Sequence, residues 1–296
     1  MDTTSEDRGL TPAEQATVEA MACEERGDVG EAERLYGEAI RLAPEWSIPS
    51  YNLGLLYKRQ RRWRESLEAN RRATVLDPGD EAAWWNLGIA ATALADWSTA
   101  RAAWKGFGLP IPEGEGPLDL DFGLTPIRLD PEGAAEVVWC ERIDPARAII
   151  RSIPLPASCR RFGDLLLHDG EPRGTRQFRG HEVPVFHEIE LLEASLYKTY
   201  SVVVEAEDRS AIEELSDRAF DLGLAAEDWS TIRMLCRACS EGRPHQHTQD
   251  VVSNEVEEER TVGIAASTDD EARSLLTDWS AAGAGRSWSD LRIEFG

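Results

Sequence analysis

Basic residues are scarce in this sequence. Lys and Arg total 32 against 55 Asp and Glu, a formal net charge of −23. A field of that sign repels phosphate backbones and anionic lipid, which argues against nucleic acid and membrane surfaces as partners. Long apolar runs are missing too. None approaches the roughly 18 residues needed to span a bilayer, and the opening MDTTSEDRGLTPAEQ is polar and acidic, unlike a secretory leader. The five cysteines are an odd number, scattered along the chain; no disulfide framework is expected, and a reducing cytoplasmic location is. There is no Gly-x-Ser-x-Gly elbow, phosphate-cradling glycine loop or His-Glu-x-x-His helix. What is present is a chain of 296 residues, 42 % apolar, long enough for two or three domains.

The charge is uneven. Residues 1–114 carry 13 basic and 19 acidic side chains, and the remainder carries 19 and 36. One stretch runs the other way: KRQRRWRESLEANRR, Lys58 to Arg72, has seven basic and two acidic residues. It reads either as a solvated helical surface or as a docking patch for an acidic partner, including this chain's own acidic half.

An internal period of 34 residues organises the first third. SYNLGLLY (50–57) aligns with WWNLGIAA (84–91); Ala32, Ser66 and Ala100 coincide at the same offset, as do Tyr36, Asn70 and Trp104, and Pro44, Pro78 and Pro112. The pattern W-x2-L-G…A-x3-aromatic…P resembles the tetratricopeptide repeat (TPR), in three copies at 13–46, 47–80 and 81–114. Each copy is then a pair of antiparallel helices, A and B. Gly54 and Gly88 let helix A approach its own helix B, Ala32, Ala39, Ala73 and Ala100 are small partners on helix B, and the prolines end each repeat.

The resemblance implies a helical solenoid whose A helices line a concave, partner-binding groove. Family positions carried onto this chain give Ile48, Tyr51, Leu55, Lys58 and Arg59 in the second repeat, and Ala82, Trp85, Ile89, Thr92 and Ala93 in the third. Tyr51, Leu55, Trp85 and Ile89 form an apolar strip beside Lys58 and Arg59, suited to a peptide with apolar anchors and a carboxylate. The bland alternative is packing against neighbouring helices. The family's chaperone-type carboxylate clamp is not expected: the first repeat offers Thr17 and Met21, and helix A of the third has no Lys or Arg. Helix B of that repeat, WSTARAAWKGFG, carries Trp97, Trp104 and Phe107 and has no capping helix after it, so the next domain or a second subunit, in a homo-oligomer, is expected to cover it.

From 118 to 195 the period shortens. EVVWCERI, RAIIRSIP, FGDLLLH and VPVFHEIELL read as strands separated by turn chemistry, which suggests a small barrel or curled sheet. His168, His181 and His187 read as ordinary strand-end histidines, and Cys140 and Cys159 lack the neighbours of a catalytic thiolate.

The segment 197–296 reads as βαββαβ, the order of a ferredoxin-like sandwich, with DWSTIRMLC (228–236) as its second strand and Ser267 or Thr268 opening its second helix. RNA-recognition modules share that fold, but the third strand, Arg260 to Ala265, has no aromatics on which to stack bases.

Between its second and third strands lies LCRACSEGRPHQHTQD (235–250), with the spacing Cys-x2-Cys-x5-His-x-His. Cys236, Cys239, His245 and His247 could complete a tetrahedron around zinc, and four protein ligands would make that zinc structural. A redox dithiol would open a helix, and none is expected there.

The combined expectation is a multidomain α plus α/β protein: a TPR solenoid, a β-rich middle domain and a ferredoxin-like domain with a structural zinc knuckle. It would act as a protein-interaction adaptor or scaffold. The alternatives are a zinc-dependent hydrolase, using the middle-domain histidines with Glu241 or Asp250, and a ligand-sensing regulator.

Overall fold

A computed structural model describes residues 9–133, 136–178, 180–206, 208–231 and 259–296. The chain divides into two compact units, Met1–Leu118 and Asp119–Gly296.

The first unit contains six helices: α1 (Pro12–Glu25), α2 (Val29–Leu42), α3 (Ser47–Arg59), α4 (Trp63–Leu76), α5 (Glu81–Ala93) and α6 (Trp97–Gly106). Thr11 and Glu14 form a capping box on α1, and Asp28, Asp80 and Asp96 cap α2, α5 and α6 through their side chains. The helices pair as hairpins, and the glycines explain how closely. A Cβ on Gly54 would lie 2.5 Å from the Asn70 amide, and one on Gly88 would lie 2.4 Å from the Trp104 ring. The Ser66 hydroxyl donates to the Gly54 carbonyl at 2.8 Å, which fastens α4 to α3. Ala32, Ala39, Ala73 and Ala100 are all buried. Residues 12–106 are three TPR-type hairpins.

The end of the array differs from expectation. Trp104 is fully buried, facing α5, with its ring 5.1 Å from that of Trp85; Phe107 also packs on Trp85, at 4.7 Å. Helix α6 therefore turns these two aromatics inward, and its outer stripe of Ser98, Arg101, Ala102 and Lys105 carries the chain that follows. Arg101 donates to the carbonyls of Pro112, Gly116 and Pro117, Lys105 pairs with Glu113, and Ile111 and Leu118 are buried. An extended strap belonging to the same unit serves where a capping helix was missed in the sequence. Proline and glycine prevented it from reading as structure.

The second unit begins with β1 (Leu124–Arg128), β2 (Val137–Arg142), β3 (Arg147–Ile150), β4 (Leu165–His168), β5 (Thr175–Phe178), β6 (His181–Pro184) and β7 (Phe186–Glu193). Strands β1, β2, β3, β4 and β7 form a closed barrel, sealed by parallel pairing of Ile127 with Phe186 and Arg128 with His187. Its core includes Ile127, Leu129, Val138, Cys140, Ile150 and Leu166. The hairpin β5–β6 forms a separate two-stranded sheet, with Phe178 packed 4.7 Å from Trp139 of β2.

The chain continues through β8 (Lys198–Glu205), α7 (Arg209–Asp221), β9 (Ala225–Asp228), β10 (Glu259–Ala266), α8 (Asp269–Ala281) and β11 (Ser287–Phe295). The sheet order is β11-β8-β10-β9, antiparallel throughout. Tyr200, Val202 and Val204 of β8 and Val262 and Ile264 of β10 pack against Ile212 and Leu215 of α7 and Leu275, Leu276 and Trp279 of α8. Thr268 and Glu271 form the capping box of α8. The second strand ends earlier than its sequence suggests. Ala225 to Asp228 pair with Ala265 to Val262, so the strand beside β10 is AAED; of the expected strand 228–236, Trp229–Thr231 turns as a 3-10 segment and residues 232–236 lie outside the described residues. Two alanines and two acids carry no β-branched signal; the strand forms because Gly223, at φ 72°, ends α7 and delivers the chain to the edge of β10. No helix among the described residues is long and apolar enough to cross a membrane.

Candidate functional site

The A helices of the second and third repeats, α3 and α5, present the residues singled out as a groove. Tyr51, Leu55 and Trp85 are half-buried, Arg59 is exposed, Lys58 is buried and Ile89 is fully buried. Ile89 thus lies in the hydrophobic interior while the other three apolar residues keep accessible surface. The Lys58 ammonium donates to the Asn86 side-chain oxygen at 2.9 Å, joining α3 to α5. Arg59 reaches back to α1, where its Nη1 lies 2.8 Å from the Glu24 carboxylate. Glu24 also accepts the Tyr36 hydroxyl, and burial together with that carboxylate pushes the Tyr36 phenol up. On α1, Val18 and Met21 are half exposed, whereas Thr17 is buried and its hydroxyl donates to the Ala13 carbonyl at 2.9 Å.

The basic stretch 58–72 is largely satisfied internally. Arg62 pairs with Glu33 and Glu65, Arg71 with Glu68, and Arg72 donates to the Pro44 carbonyl. Of the seven cations, only the side chains of Arg61 and Arg64 have no hydrogen bond or ion pair among the described residues. The sequence could not show this, because Glu24 and Glu33 lie a full repeat away.

The four cysteines and histidines named as zinc ligands, Cys236, Cys239, His245 and His247, lie outside the described residues. Among the described residues no three His, Cys, Asp or Glu side chains are grouped to hold a metal. His168 is fully buried in the barrel, with Nδ1 2.9 Å from the Asp169 carbonyl and its ring against Phe186; burial drives its pKa down to about 4. His181 is exposed on β6, and His187 is half-buried on β7. The Cys140 thiol is buried and pushed up, while Cys159 is exposed.

A carboxylate pair that sequence reasoning missed sits where the barrel meets the four-stranded sheet. Glu136 precedes β2 and accepts the Leu155 N–H at 2.9 Å; Glu227 of β9 accepts the Ile153 N–H at 2.7 Å. The Trp229 indole N–H donates to the Ile153 carbonyl, and its ring fills the space where Gly263 of β10 lacks a side chain. Burial, opposed by the Leu155 hydrogen bond and reinforced by Glu227, raises Glu136 to about 7, and burial raises Glu227 as well.

No protein-family model matches the sequence, and no curated protein matches it. Solved structures resemble its N-terminal third. The second TPR of Spaghetti (RPAP3), bound to the HSP90 peptide SRMEEVD, is 18 % identical over 33 % of this chain and 90 % of that one, with a TM-score of 0.31. The TPR2B domain of yeast Sti1, in a complex with pHsp70, is 22 % identical over 32 % of this chain and 77 % of that one, TM-score 0.31. The Sgt2 TPR domain from Aspergillus fumigatus is 29 % identical over 33 % of this chain and 66 % of that one, TM-score 0.31. The assignment of three repeats rests on the 34-residue period and the glycine-mediated hairpins.

Proposed function

We propose that this protein is an interaction adaptor that captures a peptide or helix of a partner protein on the face built by α3 and α5. The observation that carries the reading is the set Tyr51, Leu55 and Trp85. These are three large apolar side chains on consecutive A helices that remain partly accessible although the hairpins beneath them are closely packed. Aromatic anchors of this kind dominate binding energy when a partner covers them. Ile89 supports the floor from within, and Arg59 offers a cation to an acidic group on the ligand. We read the four-stranded sheet with its two helices as a ferredoxin-like sandwich, and the Cys236, Cys239, His245 and His247 segment as a structural zinc knuckle that supplies a second contact surface.

The test is selection from a displayed peptide library by the purified full chain, repeated with Y51A/L55A and with W85A. Enrichment of peptides with apolar anchors and a carboxylate, lost in both variants while the helical circular-dichroism signal is retained, is the expected result. Failure to enrich, or enrichment insensitive to both variants, overturns the reading.

A further inference from the structure

Repeats two and three differ at the positions equivalent to Trp84 and Gly106. In repeat three Trp84 lies over Gly106, where a Cβ would be 2.5 Å from the indole, and its Nε1 donates to the Pro78 carbonyl at 2.9 Å. Thirty-four residues earlier, the same positions hold Ser50, Arg72 and Pro44. The proline carbonyl is still satisfied, now by the Arg72 guanidinium at 2.7 Å, but no indole is present. A cleft of about 420 Å³ opens there between α2, α3 and α4, walled by Ile40, Leu53, Tyr57 and Ala69, with Ser50 also lining it. Ser50 is fully buried, and its hydroxyl has no hydrogen-bond partner among the described residues. A buried hydroxyl left unsatisfied costs free energy. Ile40, Leu53 and Ala69 retain partial exposure for want of a neighbour.

The rim charges are not equivalent. Glu65 and Glu68 are matched by Arg62 and Arg71, and Arg72 is held by the Pro44 carbonyl. Arg64 is exposed, and its guanidinium has no hydrogen bond or ion pair among the described residues. The cleft therefore offers an apolar slot of aromatic size with one uncommitted cation at its edge.

We propose that this cleft is a second docking site, distinct from the Tyr51–Trp85 face, that accepts a tryptophan side chain from a partner protein with an acidic residue beside it. The inserted indole packs on Ile40, Leu53, Tyr57 and Ala69 beside the Arg72 guanidinium that holds the Pro44 carbonyl, and the neighbouring carboxylate pairs with Arg64. The proposal stands whether or not the α3–α5 face binds a peptide.

The experiment titrates the full chain with the peptide Ac-Asp-Trp-Asp-NH2, the uncharged Ac-Asn-Trp-Asn-NH2 and indole-3-acetate, by calorimetry and methyl NMR of Ile40 and Leu53. Saturable binding of the acidic peptide is expected, weakened about fivefold by the uncharged peptide and by R64Q, as for loss of one exposed ion pair. S50W/R72G restores the repeat-three pair, so it should abolish binding and raise Tm. A fall in Tm for that variant would show that the cleft is not a vacant indole position and would overturn the proposal. So would no binding to the wild type, or binding unchanged in S50W/R72G. Indole-3-acetate binding tighter than the peptide would overturn a protein partner in favour of a small aromatic acid.

Discussion

Arg59 on α3 and Glu24 on α1 form an ion pair of 2.8 Å, in which Glu24 is mostly buried, with 13 % of its side chain exposed, and Arg59 is 61 % exposed. A ligand carboxylate that reaches Arg59 must compete with Glu24 for the guanidinium. E24Q keeps an acceptor for the Tyr36 hydroxyl and removes the competing charge. Affinity for an acidic peptide on the α3–α5 face should then rise about fivefold, the equivalent of about 1 kcal/mol. Fluorescence titration at low and high salt checks this; the gain should shrink as salt screens the charge. An unchanged affinity would remove Arg59 from the site.

The turns between helices A and B fall on equivalent positions, Gly27, Arg61 and Ala95, and all three are left-handed, with φ of 77°, 58° and 55°. Only the first is glycine. An L-residue there pays a steric cost of roughly 1–2 kcal/mol, partly offset by the lower chain entropy of a non-glycine residue when unfolded. A95G should therefore stabilise the repeats by roughly 0.5–1 kcal/mol, read as a higher urea midpoint at unchanged slope. R61G should act in the same direction, and G27A in the opposite one.

The repeats were legible because their signal is local and periodic. Gly54, Gly88 and the alanines of the B helices mark where backbones touch, and each glycine proves to face the side chain of its own B helix. The strands EVVWCERI and VPVFHEIELL were visible through their β-branched and aromatic residues. β1 was not, because Pro126 interrupts it, and β9 was not, because AAED has no strand character of its own. The groove residues were named from position alone. That Ile89 is interior, and that Lys58 and Arg59 already have partners in Asn86 and Glu24, depends on how successive hairpins stack. Glu136 and Glu227 are 91 positions apart in the sequence, so nothing local links them.

Zinc binding rests on the spacing of Cys236, Cys239, His245 and His247. Elemental analysis of chelator-free, reduced protein should find about one zinc per chain. C236S/C239S should lose it and lower the thermal midpoint, since a structural metal contributes folding free energy. Protein without zinc under those conditions would sink the knuckle and leave the helical repeats as the binding element.

The junction between the barrel and the four-stranded sheet should respond to pH. Glu136 faces Glu227 of β9, the hydroxyl of Ser158, the N–H of Leu155 and, from β5, the cation Arg176. Its folded pKa of about 7 lies above the ordinary glutamate value of 4.5, so the folded state binds the proton more tightly than the unfolded chain does. The stability this provides is fully present below about pH 4.5 and is lost as pH rises through about 7. Glu227, also raised, adds in the same sense. Between pH 8 and pH 5 Glu136 should therefore add roughly 2–3 kcal/mol to the second unit, against His168, whose burial-lowered pKa works in the opposite sense over the same range, and E136Q should remove the Glu136 share. Urea unfolding followed through the tryptophans at the two pH values, for wild type and E136Q, supplies the measurement. An E136Q variant that keeps the full wild-type difference between the two pH values would show that Glu136 does not hold a proton there.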